Sequence, residues 1–135
     1  MRTLGGLCYW PARRESVVFM PFSLNRYPAS EGAYRMGKVT PFLWFDTRAE
    51  EAARFYVAIF NNAKIENISR SGDGPEDPVF SVTFELDGQR FMALNGGPQY
   101  SFTPAVSFFV SCETQAEVDD FWTKLSAGGK PGHCG

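Results

Sequence analysis

Hydrophobic and polar residues alternate most clearly between residues 79 and 95, in the segment VFSVTFELDGQRFMALN. Every second residue from Phe80 to Leu86 is apolar, which is the pattern of a strand with one buried face. The dipeptide Asp87-Gly88 follows at once, and Asp-Gly favours the type I′ turn of a two-residue hairpin. The pattern therefore predicts a β-hairpin whose second strand covers residues 89–95.

A second pattern occurs twice along the chain. Residues 39–56 read VTPFLWFDTRAEEAARFY, and residues 106–122 read VSFFVSCETQAEVDDFW. Each copy has an apolar run of strand length and then Thr-x-Ala-Glu, which is typical of a capping box at a helix start. Apolar residues at helical spacing follow. We predict a strand and a helix in each copy, with Thr47 and Thr114 as helix caps and Pro41 marking an edge position or a bulge.

The remaining segments complete the first unit but not the second. Residues 63–71, AKIENISRS, predict a weak polar strand, and residues 72–78, GDGPEDP, predict a loop. The first unit then reads β-α-β-β-β, whereas the second begins β-α and reaches residue 135. We expect an α+β fold of paired β-α-β-β-β modules, the first complete (38–95) and the second cut after its helix (105–135).

The first 35 residues show no sustained period of 2 or 3.6, and their longest apolar run, VVFMPF, contains a proline. We therefore expect residues 1–35 to form an irregular or disordered extension that precedes a domain over residues 36–135.

Composition narrows the class of protein. A chain of 135 residues with 44% hydrophobic residues suits one globular domain, and a net charge of -2 gives no reason to expect nucleic acid. No apolar run is long enough to predict a membrane span. The three cysteines are an odd number and widely spaced, which favours a reducing compartment, so we expect a cytoplasmic protein.

The segments TPFLWFD, AEEAARFY, VTFELDGQRFMALNGGPQYSF and AVSFFVSCETQAEVDDFWTKLSAGG resemble the vicinal-oxygen-chelate superfamily. Within it they resemble the PhnB-like branch, whose members are often labelled 3-demethylubiquinone-9 3-methyltransferase. The resemblance covers residues 36–135. It implies a glyoxalase-like fold, a small-molecule cavity between two curved sheets, and a homodimer.

The resemblance also indicates whether a metal ion or a cofactor is expected in this protein. Metal-dependent members of the superfamily carry ligands at positions that fall on Val39, Val106 and near Ala93 here, and these side chains cannot ligate a cation. His133 and Cys134 are adjacent in a glycine-rich tail, where neighbouring side chains of an extended segment point apart. We therefore expect no metal and no cofactor. The sequence has no glycine-rich loop between a strand and a helix, which binding of S-adenosylmethionine requires. It therefore does not support the methyltransferase label.

Strand parity supplies the candidate ligand-binding residues. Asn95 is the expected polar anchor, because its amide both donates and accepts. The apolar lining, with Tyr100 at the mouth of the pocket, comprises Val39, Leu43, Phe91, Ala93, Val106 and Phe108. Cys112 is expected in the core, and Asp46 and Glu113 are expected to favour their helix starts electrostatically.

Three functional hypotheses remain open. The first is a metal-free protein that binds a small molecule. The second is a superfamily enzyme (isomerase, lyase, dioxygenase or the labelled methyltransferase) whose active residues lie partly beyond residue 135. The third is a partial product without function, whose unpaired strand at residues 106–111 promotes self-association. Expected partners are a small-molecule ligand and a second copy of the chain, but neither nucleic acid nor membrane.

Overall fold

The computed structural model describes the backbone of residues 18–23 and the structure of residues 39–103 and 105–129. Within these residues the chain divides into two compact units. The four-stranded unit contains residues 39–101, and the two-stranded unit contains residues 18–23 and 102–129.

The elements follow one another in the order that the repeat predicts, with one strand added before it. They are β1 (Val18–Ser23), β2 (Phe42–Phe45), α1 (Ala49–Ile59), β3 (Ala63–Arg70), β4 (Val79–Leu86), β5 (Gln89–Asn95), β6 (Ser107–Cys112) and α2 (Gln115–Leu125). The four-stranded sheet has the order β2-β5-β4-β3, in which β2 runs parallel to β5 and the other neighbours are antiparallel. The strand after Pro41 therefore lies at an edge, which is one of the two alternatives that Pro41 left open.

The β4–β5 hairpin confirms the strongest local prediction. Asp87 has φ 46° and Gly88 has φ 81°, the two left-handed positions that a type I′ turn requires. Glycine is free to adopt this region, and aspartate adopts it more readily than most residues. The turn fixes the register, in which Phe84 lies opposite Phe91 and Val82 lies opposite Ala93.

The core of the four-stranded unit lies between α1 and one face of the sheet. Phe84 is only 1% exposed, and its ring stacks on that of Phe91 with centroids 5.4 Å apart. Burying a side chain of this size stabilises the fold by roughly 1.5–3 kcal/mol. The other buried residues are Leu43, Phe45, Ala49, Ala52, Ala53, Tyr56, Ile59, Val82, Leu86, Phe91 and Ala93.

The start of α1 differs from the predicted capping box. The N-cap is Arg48, so Thr47 lies one position too early to cap, and the Arg48 side chain makes no capping hydrogen bond. Instead Asn95 Oδ1 accepts from the Ala49 backbone N–H at 2.8 Å, and Asn95 Nδ2 donates to the Val79 carbonyl at 2.9 Å. Asn95 thus joins α1 to β5 and β4.

The two-stranded unit corrects the prediction for the N-terminal segment. Residues 18–23 form β1, which pairs in parallel with β6 from Val18 opposite Ser107 to Ser23 opposite Cys112. The expectation of an irregular segment is wrong for these six residues, and the rest of 1–35 lies outside the described residues. One edge of β6 is therefore paired where we expected an unpaired strand.

The predicted cap of α2 is confirmed. Thr114 is the N-cap, and its hydroxyl accepts from the Glu117 backbone N–H at 3.2 Å. The Glu117 carboxylate accepts in turn from the Glu113 N–H at 2.8 Å. Val118 and Leu125 are buried, and so is Cys112, as expected. Burial raises the pKa of the Cys112 thiol, and the nearby Glu117 adds to this effect.

Candidate small-molecule site

The four-stranded sheet has a second face, opposite α1, which we call the open face. Side chains alternate along each strand, so the residues between the buried ones point to this face. The strand register places them in two rows. One row contains Phe42, Met92, Thr83 and Asn67, and the other contains Trp44, Leu94, Ser81 and Ser69.

The half of the open face on β2 and β5 is apolar. Phe42 lies opposite Met92, and Trp44 lies opposite Leu94. Phe42 is 55% exposed, and the other three are half-buried. Apolar side chains on the sheet face opposite α1 form the kind of surface that binds another molecule.

The half of the open face on β4 and β3 is polar. The Thr83 and Ser81 hydroxyls stand beside Met92 and Leu94, and each can both donate and accept. Asn67 and Ser69 continue the rows on β3. The open face is therefore divided lengthwise into an apolar half and a hydrogen-bonding half.

Ion pairs close one end of the open face. Lys64 lies 3.6 Å from Glu85, and Arg90 Nη2 donates to Glu66 Oε1 at 3.1 Å. Arg90 Nε lies 2.6 Å from Glu66 Oε2 but makes no hydrogen bond, so this second contact is electrostatic. Hydrogen bonding from Arg90 lowers the pKa of Glu66, and burial opposes the change with a smaller effect. Glu66 sits at the register shift in β3.

The loop after β5 fixes Trp44 at the other end of the open face. The indole Nε1–H donates to the Gly97 carbonyl at 2.8 Å, and the Tyr100 ring meets the indole edge to face at 5.1 Å. A Cβ on Gly96 would lie 2.3 Å from the indole, so only glycine allows this approach. Gly97 has a φ of 89°, a positive value that glycine adopts readily because it has no Cβ. Trp44 is thus held in one orientation.

A separate groove of about 700 Å³ lies on the helix side of the sheet, beside the start of α1. It is lined by Asp46, Thr47, Arg48, Glu50, Glu51, Arg54, Ser71, Pro78, Val79, Phe80 and Asn95. Arg48 pairs with Glu51 within the helix, and Arg54 pairs with Glu50 at 2.7 Å. The arginines that could attract an anion are therefore already neutralised by their neighbours on the helix surface.

The predicted lining residues lie elsewhere than expected. Leu43, Phe91 and Ala93 are buried with α1 and do not reach the open face. The assigned parity is wrong, because alternation separates two faces without saying which one the helix covers. Asn95 also points to the side of the sheet that α1 covers. Its amide oxygen accepts from the Ala49 N–H, and one of its amide hydrogens is donated to the Val79 carbonyl.

The other predicted lining residues are at the surface of their units. Val39, Tyr100 and Val106 are exposed, and Phe108 is half-buried. Val106 and Phe108 belong to the two-stranded unit, while the others belong to the four-stranded unit. Tyr100 touches the open face through Trp44.

Sequence reasoning missed the residues that do form the open face. They are Phe42, Trp44, Ser81, Thr83, Met92 and Leu94. A signal was present, because the runs FLWF and RFMAL carry apolar residues at both parities. Strands with apolar residues at both parities are typical of sheets that are buried on both faces.

The metal centre of the wider superfamily has no counterpart among the described residues. Across residues 39–103 and 105–129, no three side chains of His, Cys, Asp or Glu form a group that could hold a metal ion. Val39, Val106 and Ala93 stand where ligands are expected. His133 and Cys134 lie outside the described residues.

These features define the class of protein. The order β2-α1-β3-β4-β5, with β2 parallel to β5, is a complete β-α-β-β-β module, and β6-α2 repeats its beginning. The chain has an α+β, glyoxalase-like fold. In the described part of the chain, neither helix has the length and hydrophobicity needed to cross a lipid bilayer.

The sequence profile of the family described as 3-demethylubiquinone-9 3-methyltransferase matches residues 37–135, and the chain belongs to this family. It is similar to a solved PhnB protein from Bacillus cereus that carries the same methyltransferase name. The two share 42% identity over 67% of this chain and 74% of that one, with a TM-score of 0.59.

A solved protein from Staphylococcus aureus is 30% identical over 66% of this chain and 67% of its own, with a TM-score of 0.39. No protein of curated function matches the sequence.

Proposed function

We propose that the protein binds a small amphipathic molecule on the open face, without a metal ion. The observation that carries this proposal is the division of that face into an apolar half and a hydroxyl-bearing half in direct register. Ligand sites combine mostly apolar lining with a few polar groups that fix orientation. Thr83 and Ser81 are the polar groups in this proposal, and Phe42 and Met92 are the apolar contacts.

A planar ring is the chemistry that best suits the apolar half. Trp44 is held by Gly97 and Tyr100, so a ring that packs beside it meets a surface that need not reorganise. Aromatic pairs gain about 0.5–1.5 kcal/mol beyond the area that they bury. Phe42 is more than half exposed and supplies a second aromatic contact on the same face.

The dimensions of the open face suit a small molecule. Two rows are separated by about 7 Å along a strand, and four strands span about 14 Å from the first to the last. The two halves meet at β5 and β4, which are neighbouring strands about 5 Å apart, so a single ring with a polar substituent reaches from the apolar half to the hydroxyl half.

We propose ligand binding and not catalysis, because the open face carries few chemically reactive groups. None of the described residues on the open face is His or Cys. Glu66 and Glu85 are each engaged by a cation, Arg90 and Lys64 respectively. The family is described as a methyltransferase. We do not propose methyl transfer for this protein.

Phe42→Asp tests the proposal, with 1-anilinonaphthalene-8-sulfonate as the planar amphipathic probe. Phe80→Asp is the matched control, since Phe80 is 53% exposed on the same sheet but beside α1. We expect saturable fluorescence enhancement in the wild type, at least tenfold weaker affinity in Phe42→Asp, and unchanged affinity in Phe80→Asp. Equal affinity in all three proteins contradicts the proposal.

We also infer that the protein is a cytoplasmic homodimer. The free, buried Cys112 and the wide spacing of the cysteines support a reducing compartment. The family resemblance supports a dimer. Light scattering of the purified chain tests the dimer, and a monomeric mass at micromolar concentration contradicts it.

A further inference from the structure

We propose that one edge of β6 is a docking site for an extended strand, and that residues 18–23 of the same chain are its resident occupant. On this proposal β1 closes the two-stranded unit as β5 closes the four-stranded unit. The inference concerns residues that the family profile does not reach, since its match begins at residue 37. It is independent of ligand binding on the open face.

The register carries the inference. In the four-stranded unit, β2 pairs in parallel with β5, and Phe45 lies opposite Asn95 at the ends of both strands. In the two-stranded unit, β6 pairs in parallel with β1, and Cys112 lies opposite Ser23 at the ends of both strands. The sequence repeat aligns Phe45 with Cys112, so Ser23 stands at the register position of Asn95.

The helix contacts agree with this assignment. α1 packs on β5 as well as on β3 and β4, and α2 packs on both β1 and β6. Helix α2 carries a buried stripe that includes Val118 and Leu125. A helix needs a sheet wider than one strand to cover, and β1 supplies the second strand.

The composition of β1 suits an occupant that ends a sheet. Five of its six residues are apolar, in the sequence VFMPFS. Pro21 has no N–H to give to a further strand, and proline within sheets is confined mainly to edges. A strand with this feature pairs on one side and discourages addition of another chain on the other.

The occupant comes from the same chain and not from a second copy. Residues 24–38 connect β1 to residue 39, and about 16 peptide units can extend over roughly 50 Å, which exceeds the diameter of a small domain. The segment can therefore reach β6 of its own chain. Its tether gives it a high effective concentration there, against which a second copy must compete.

A designed disulfide in the full chain tests the register. In a Cys8→Ser, Cys134→Ser background, Ser23→Cys lies opposite the native Cys112 in the register of the two parallel strands. Such strands lie about 4.8 Å apart, within the range of a disulfide. Phe19→Cys is the control, because it lies opposite Phe108, about 14 Å along the strand from Cys112.

We expect mild oxidation to cross-link Ser23→Cys within one chain, at least tenfold faster than Phe19→Cys. The product is a monomer with altered mobility on a non-reducing gel. A cross-linked dimer would show that the occupant comes from another copy and overturns the proposal. Equal rates for the two variants overturn it as well.

Hydrogen exchange gives a test that does not use cysteine chemistry. Met20→Pro removes a further backbone donor from β1 in the otherwise intact chain. We expect amides of residues 107–112 to exchange at least tenfold faster, while those of β4 and β5 are unchanged. Unchanged protection in β6 would mean that β1 does not occupy its edge.

Discussion

The two copies of the repeat begin their helices differently, although the motif around each start is nearly the same. In the two-stranded unit Thr114 caps α2 through its own hydroxyl. In the four-stranded unit Thr47 does not cap α1, and Asn95 does so from the far end of β5. The threonine at the equivalent position of the repeat therefore caps the helix in one copy and not in the other.

The cause is the residue at which each helix starts. Thr114 is the N-cap of α2, whereas α1 starts one residue later in the motif and has Arg48 as its N-cap. The Asn95 amide lies on the strand next to β2 and satisfies the first helical N–H. A local motif thus predicts that a helix starts, while the neighbouring strand decides which group caps it.

The largest expected effect is on the core of the four-stranded unit. Phe84→Ala removes a ring that is 1% exposed and stacked on Phe91, and should destabilise the protein by about 3–5 kcal/mol. Denaturant unfolding measures this change. Phe80→Ala on the same strand is the control and should cost less than about 0.5 kcal/mol. Similar losses for the two variants would refute the assignment of Phe84 to the core and of Phe80 to the surface.

Asn95→Ala tests the nonlocal cap. It leaves the Ala49 N–H and the Val79 carbonyl without their partner, so we expect a loss of about 2–3 kcal/mol. Asn95→Asp keeps the acceptor for Ala49 but loses the donor to Val79, and should fall between the wild type and the alanine variant. If Asn95→Ala has wild-type stability by urea denaturation, the cap does not matter.

The two threonines give the most direct comparison between the copies. Thr114→Ala removes an N-cap hydrogen bond and should cost about 1 kcal/mol. Thr47→Ala removes no cap and should change the free energy of unfolding by less than about 0.5 kcal/mol. The thermal or denaturant midpoints of both variants measure this difference. Equal losses of stability in the two variants would show that Thr47 caps its helix as Thr114 does.

The smallest expected effect is the pH dependence from Glu66. Its pKa is lowered in the folded protein, mainly by the hydrogen bond from Arg90. A lowered carboxyl pKa stabilises the fold above the unfolded value and loses this contribution as pH falls through the folded value. We expect Glu66→Gln to be less stable than the wild type at pH 7, and the gap to narrow below about pH 4.5. A gap that widens in acid contradicts the ion pair.

Local patterns predicted much of the fold. The hairpin follows from alternation and Asp87-Gly88, and both helices follow from their apolar stripes. These elements depend on residues that are close in sequence, so their signals are complete within a short window. The strand β1 was missed because VVFMPF carries a proline and no alternation, and its pairing with β6 spans most of the chain.

The candidate site was harder to predict, because it depends on which face of the sheet the helix covers. In β5, Phe91 and Ala93 are buried, while Met92 and Leu94 lie on the open face. All four are apolar, so composition does not distinguish the two faces. Asn95 likewise offers no local sign that it bonds a helix start 46 residues earlier.

The open face as a ligand site is tested most directly at Met92. With ¹³C-methyl methionine in the full chain, its resonance is assigned by Met92→Leu and followed as 1-anilinonaphthalene-8-sulfonate is added. We predict a saturable shift with the same dissociation constant as the fluorescence change, which Phe42→Asp weakens and Phe80→Asp preserves. An unmoved Met92 resonance at saturating probe would show that the molecule binds elsewhere and would contradict the proposed function.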